Sequence, residues 1–266
     1  MPGYGVLGGK KAYSSNSSRL HRRSRSPNST FRFLLKSRCI NIKLRKMFSE
    51  LPPEWEGKLV EEMAFVRENG FYLFDPETLQ STPKSLSILL TADEEWRDTL
   101  GEFVKRAIPS DLKDKIYFQP PEGYHVSLQW SKEFPQEELR DLTAELEDYF
   151  RNIDKILITL YGLYPSDNNF QLVGGASEII RNFRAELTTI YEKHGAKPKL
   201  ARDNGMTWIS AARILQPFSK SEIEQAIQET GKEIFTDVSF STAVLTLNDA
   251  MFSSQNSEIL ARVKLK

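Results

Sequence analysis

From about residue 47 onward, short alternating apolar runs are separated by stretches with helical period. SLSILLT (85–91) reads as a strand, and EEWRDTLGEFVKRAI behind it spaces its apolar residues three and four apart, as a helix does. Thr91 and Glu94 are spaced as a capping box for that helix. GYHVSLQW (123–130) alternates as a strand, Pro135 opens the charged helix QEELRDLTAELEDYF, and KILITLYGLYP (155–165) is a third strand. The same order then returns. NFQLVGG (169–175) predicts a strand, ASEIIRNFRAELTTIYEKH a helix stopped at Gly195, and GMTWISAARIL (205–215) a strand. SEIEQAIQET predicts a helix capped by Ser219 and Glu222 and stopped at Gly231. VSFSTAVLTLN (238–248) closes the second unit, and SEILARVKLK (257–266) adds one strand more.

Strand, helix, strand, helix, strand, twice over, predicts an α+β duplicated fold with two lobes. Two antiparallel sheets face a central cleft, with helices outside. The copies span about 85–165 and 169–266, and the cleft between them is the natural ligand site. Residues 47–84 precede the duplicate: WEGKLVEEMAFVREN is an amphipathic helix ending near Gly70, and FYLFDPETLQSTPK is an irregular connector. This piece is expected to cap one lobe, and no chemistry is assigned to it.

Charge divides the chain differently. Residues 1–46 hold twelve Lys or Arg and no Asp or Glu, so the formally neutral 266-residue chain is a +12 arm joined to a −12 body. An acidic body argues against strong non-specific binding to nucleic acid. The arm is rich in Ser and Arg and is expected to be disordered alone. It reads as an organelle transit segment, a nucleic-acid-binding tail, or an upstream extension before a functional start at Met47. The compartment is cytoplasmic, or an organelle if the arm is a genuine transit segment. No apolar run approaches the ~20 residues of a bilayer span, so no membrane partner is expected. One cysteine, Cys39, excludes a disulfide scaffold, and three histidines argue against a multi-histidine metal centre. No metal or organic cofactor is implied, and the protein is expected to be a monomer.

The chemistry gathers on two strands. By alternation His125, Ser127 and Gln129 share one face of the strand at 123–130, and Tyr124, Val126, Leu128 and Trp130 point the other way, into a core. A hydroxyl can hold a phosphate oxygen, and a neighbouring imidazole can move a proton near neutral pH. Eighty-three residues on, Trp208 stands where His125 stood and Ser210 where Ser127 stood. Trp208 either fills the space of a missing histidine or offers a platform for a stacked base. Regular alternation puts Arg213 off the Ser210 face, so its contact with a phosphate depends on local twist. His194, just before Gly195, reads as a solvated histidine of a last helical turn.

His125-Val126-Ser127-Leu128 and Trp208-Ile209-Ser210-Ala211-Ala212-Arg213, in matching places of a duplicate, resemble the two His-x-Ser/Thr motifs of the 2H phosphoesterase superfamily, the 2′–5′ RNA ligase-like and cyclic phosphodiesterase-like proteins. The ending VSFSTAVLTLNDAMFSSQNSEILARVKL resembles that family's last hairpin, and the resemblance covers residues 85–266. It implies metal-independent chemistry on cyclic phosphates, 2′–5′ linkages or RNA ends. One histidine would act as base, the other as acid, and the two hydroxyls would hold the phosphate. On that pattern His125 is the catalytic residue, Ser127 and Ser210 bind phosphate, and Trp208 and Arg213 contact substrate. Trp208 replaces the second histidine, and an indole N–H does not titrate near pH 7. The expectation is therefore a nucleotide or RNA end in the cleft with impaired catalysis. The alternative is a non-catalytic nucleotide-binding or interaction module on the same fold.

Overall fold

The computed structural model describes residues 51, 53–73, 83–199, 205–230, 237–249 and 257–266. The basic arm, the connector at 74–82 and the helix stop expected at Gly231 lie outside the described residues. Helix α1 (Pro53–Asn69) comes first. The first copy then runs β1 (Ser85–Ala92), α2 (Glu94–Ala107), a short strand β2 (Ile116–Phe118), β3 (His125–Ser131), α3 (Leu139–Arg151) and β4 (Ile156–Pro165). The second runs β5 (Asn169–Gly175), α4 (Ser177–Lys193), β6 (Met206–Ile214), α5 (Lys220–Glu229) and β7 (Asp237–Asn248), with β8 (Glu258–Lys264) last.

The strands pair antiparallel in the order β2-β6-β5-β4-β7-β1-β3, with β8 also on β7. Without β2 and β8 this order is a palindrome under exchange of the copies: β3 matches β6, β1 matches β5, and β4 matches β7. Each copy gives its third strand away. β4 completes the lobe of β5 and β6, and β7 completes the lobe of β1 and β3. The two antiparallel halves are joined where Ile156–Thr159 of β4 pairs with Asp237–Phe240 of β7. The strand β1 is hydrogen-bonded along both edges, to β3 and to β7, and all eight of its residues are buried.

The main core joins both lobes to α2, α3 and α4 through Leu100, Leu146 and Leu187. A second core forms where Trp55, Leu59 and Met63 of α1 meet Ile223 and Ile227 of α5 over Val173 and Met206. Glycine at position 175 is required there, because a Cβ would stand 2.1 Å from the Trp55 ring. Arg67 and Glu224, 3.0 Å apart, tie α1 to α5 at the rim.

Two local expectations hold and two change. Ser219 and Glu222 form the full capping box of α5, and Gly195 closes α4 with a φ of +70°. Thr91, however, lies inside β1 opposite His125. Asp93 heads α2 and turns its carboxylate to Ser239 and Ser241 of β7 instead of capping the helix. His194 is not solvated. It is 8% exposed, with Nδ1 3.0 Å from Glu138 and Nε2 2.7 Å from Glu145, both carboxylates of α3 or its N-terminal cap.

Candidate functional site

The strands β3 and β6 approach each other across the cleft, and a cavity of about 430 Å³ opens between the lobes. His125 and Ser127 line it from one side, Trp208 and Ser210 from the other. That volume lies in the ~300–1,000 Å³ range of small-ligand pockets and exceeds what a phosphate alone would fill.

Each of the two strands carries a bulge at the same place. Leu89 and Ile88 of β1 pair with Ser127 and Gln129, so Leu128 is an extra residue. Gln171 and Phe170 of β5 pair with Ser210 and Ala212, so Ala211 is extra. An inserted residue reverses the alternation beyond it. Gln129 therefore turns away, and its amide donates to Thr188 of α4 at 3.0 Å. Trp130 turns to the cavity instead of the core, which corrects the simple alternation. The equivalent reversal brings Arg213 back to the side of Ser210. Arg213 does not line the cavity itself, but its charge reaches His125.

His125 Nδ1 lies 2.7 Å from the carbonyl oxygen of Gly123. A carbonyl only accepts, so Nδ1 carries the proton and Nε2 is the basic nitrogen. Burial pushes the imidazole pKa down to about 4. The Gly123 carbonyl opposes that shift, and the Arg213 charge adds to it. The ring is thus neutral throughout the physiological range, as a general base must be.

On the opposite wall Asn169 Nδ2 donates to Ser210 Oγ at 3.3 Å, while Asn169 Oδ1 accepts from Ser166 at 2.7 Å. Ser210 receives one hydrogen bond there and keeps its own O–H to donate. Trp208 packs beside the second core and carries Lys58 Nζ of α1 at 5.4 Å from its ring centroid. Gln171, next to Ser210, donates to Glu62 of α1 at 3.2 Å. The segment to which no chemistry was assigned therefore supplies a cation and a carboxylate beside the site. Arg184 of α4 also lines the cavity, 3% exposed, donating to the Met206 carbonyl. The amphipathic pattern of α1 and α4 carried no sign of these positions.

Among the described residues no group of three His, Cys, Asp or Glu could hold a metal ion, and no helix is long and apolar enough to cross a membrane.

No family model and no curated protein matches the sequence. Solved structures do. TT0787 of Thermus thermophilus matches with a TM-score of 0.50 at 17% identity, over 68% of this chain and 97% of that one. E. coli LigT complexed with 3′-AMP matches at 0.46 and 12% identity, over 70% of this chain and 99% of that one. Kluyveromyces marxianus Usb1 matches at 0.40 and 14%, over 68% and 98%. At such identities the likeness is one of fold alone: this chain shares the overall fold of TT0787, with the duplicated strand order described above.

Proposed function

We propose that the cavity binds the phosphate of a nucleotide or RNA end, with a cyclic phosphate or 2′–5′ linkage as substrate, and that hydrolysis there is slow. The observation that carries this reading is the pairing of His125 and Ser127 with Trp208 and Ser210 across one cavity. Ser127 and Ser210 donate to phosphate oxygens, and Arg213 adds charge from behind. His125 Nε2 takes the proton of the attacking water. Its symmetry mate, Trp208, has no proton to give at neutral pH, so the leaving oxygen must draw one from solvent. A positioned acid contributes ~10²–10⁴-fold, and that is the expected deficit.

Single-turnover hydrolysis of a 2′,3′-cyclic nucleotide, with binding by calorimetry, tests it. Wild type should turn over slowly, and His125→Ala should abolish that turnover. Ser127→Ala and Ser210→Ala should each weaken nucleotide binding roughly 10-fold or more, the loss expected of a hydrogen bond to a charged group. Fast wild-type turnover that survives His125→Ala would sink the proposal. Tight binding without turnover would favour the second reading, a non-catalytic module, whose support is the indole at position 208.

A further inference from the structure

Beyond Ser127 the cavity continues along the first lobe past residues that the phosphate reading leaves unused. Trp130, turned inward by the bulge, lies directly across from Ser87 of β1. Asn248 of β7, opposite Ser85, lines the same end. Ser87 is 0% exposed and Asn248 2% exposed, and neither Ser87 Oγ nor Asn248 Oδ1 has a hydrogen-bond partner among the described residues. Asn248 Nδ2 donates to the Asp249 carbonyl at 2.9 Å, which fixes Oδ1 as the remaining acceptor. A buried polar atom without a partner forfeits its hydration for nothing, and native proteins keep few of them. Two at one end of one cavity point to a ligand that brings the complementary groups.

Spacing says which ligand. Discounting the bulged residue, Trp130 is two strand steps from Ser127, about 7 Å. A ribose bridges that span between a phosphate and its base. Lys132 and Lys199 hold their ammonium groups 6.0 and 5.7 Å from the Trp130 ring centroid, so the aromatic surface lies in a positive field that suits a phosphorylated partner.

We infer that this end of the cavity is a nucleobase subsite selective for bases carrying an exocyclic amino group. The base stacks on Trp130, its amino group donates to Asn248 Oδ1, and the Ser87 hydroxyl donates to the adjacent ring nitrogen. Uracil or hypoxanthine in the same pose sets a carbonyl against the Asn248 oxygen, acceptor against acceptor. The subsite rests on the phosphate reading for the placement of the sugar.

The test is calorimetric binding of matched pairs to the full chain: 3′-CMP against 3′-UMP, and 3′-AMP against 3′-IMP, with inorganic phosphate and cytidine as controls. The amino-bearing member should bind at least tenfold tighter in each pair. Asn248→Ala should erase that preference chiefly by weakening 3′-CMP, and Trp130→Ala should weaken all four nucleotides. The wild-type comparison needs no variant, so misfolding of either variant cannot rescue the idea. Equal affinity within both pairs overturns the subsite, and if phosphate still competes the phosphate reading survives. Cytidine binding without phosphate binding keeps the subsite and removes the phosphate reading. No binding of any probe overturns both.

Discussion

Replacing Trp208 by histidine puts an imidazole at the symmetry mate of His125, and its value as an acid depends on α1. Lys58 Nζ stands 5.4 Å from the centre of the ring it would replace. Two unit charges at that separation repel by about 3 kcal/mol at an effective dielectric of ~20, and by about 1 kcal/mol near bulk water. Lys58 is partly exposed, so the cost falls between these values and takes roughly one unit off the imidazole pKa. At pH 7 the protonated fraction of the introduced imidazole then drops about tenfold. Against the ~10²–10⁴-fold a well-placed acid contributes, Trp208→His should raise single-turnover hydrolysis of a 2′,3′-cyclic nucleotide by roughly 10–10³-fold. Trp208→His/Lys58→Gln should gain up to another tenfold at pH 7, and its basic-side pH limb should move up by about one unit. The assay is a rate–pH profile of the wild type and both variants on one substrate. A Trp208→His protein that binds nucleotide normally but gains nothing at any pH would refute the reasoning. So would a double variant whose limb does not move.

Three further outcomes follow from particular contacts. Because burial holds His125 down to about 4, kcat/KM should lose activity on the acid side near pH 4, not near 6.5; a limb at 6.5 would mean a solvated imidazole. His194 is buried, which alone would lower its pKa, but Glu138 and Glu145 outweigh burial and raise it, with Lys193 also bound to Glu145. A raised histidine stabilises fully below about 6.5 and ceases to as pH rises through its folded value, so the urea midpoint of wild type relative to His194→Gln should fall between neutral and alkaline pH. Gly175→Val drives a side chain into the Trp55 ring and should cost about 2–3 kcal/mol, seen as a melting point lower by roughly 5–10 °C.

The duplicated order of elements was legible because each strand and helix keeps its own period. His125, Ser127, Trp208 and Ser210 were legible for the same reason, lying ahead of the bulges. Beyond Leu128 and Ala211 the reading failed, since an inserted residue looks like any other core residue in the sequence. Trp130 and Gln129 were therefore assigned to each other's faces, and the side of Arg213 stayed open. His194 was misjudged because its partners, Glu138 and Glu145, come from a different helix and leave no local mark. Likewise, the pattern of α1 declared a buried stripe but not which lobe it covers, so Lys58 and Glu62 could not be placed beside the site.

The exchange of β4 and β7 has a consequence for how such a molecule can change. A single copy of the unit holds a strand that belongs in someone else's sheet, so it could complete itself only as a swapped homodimer, and each half of this chain expressed alone should need the other for solubility. In that homodimer any substitution would appear on both sides of the cleft at once. Losing the histidine would empty both positions together. Joining the copies in one chain removes that constraint. Position 208 can become tryptophan while position 125 keeps its imidazole, and each wall of the cleft is free to specialise independently of its twin.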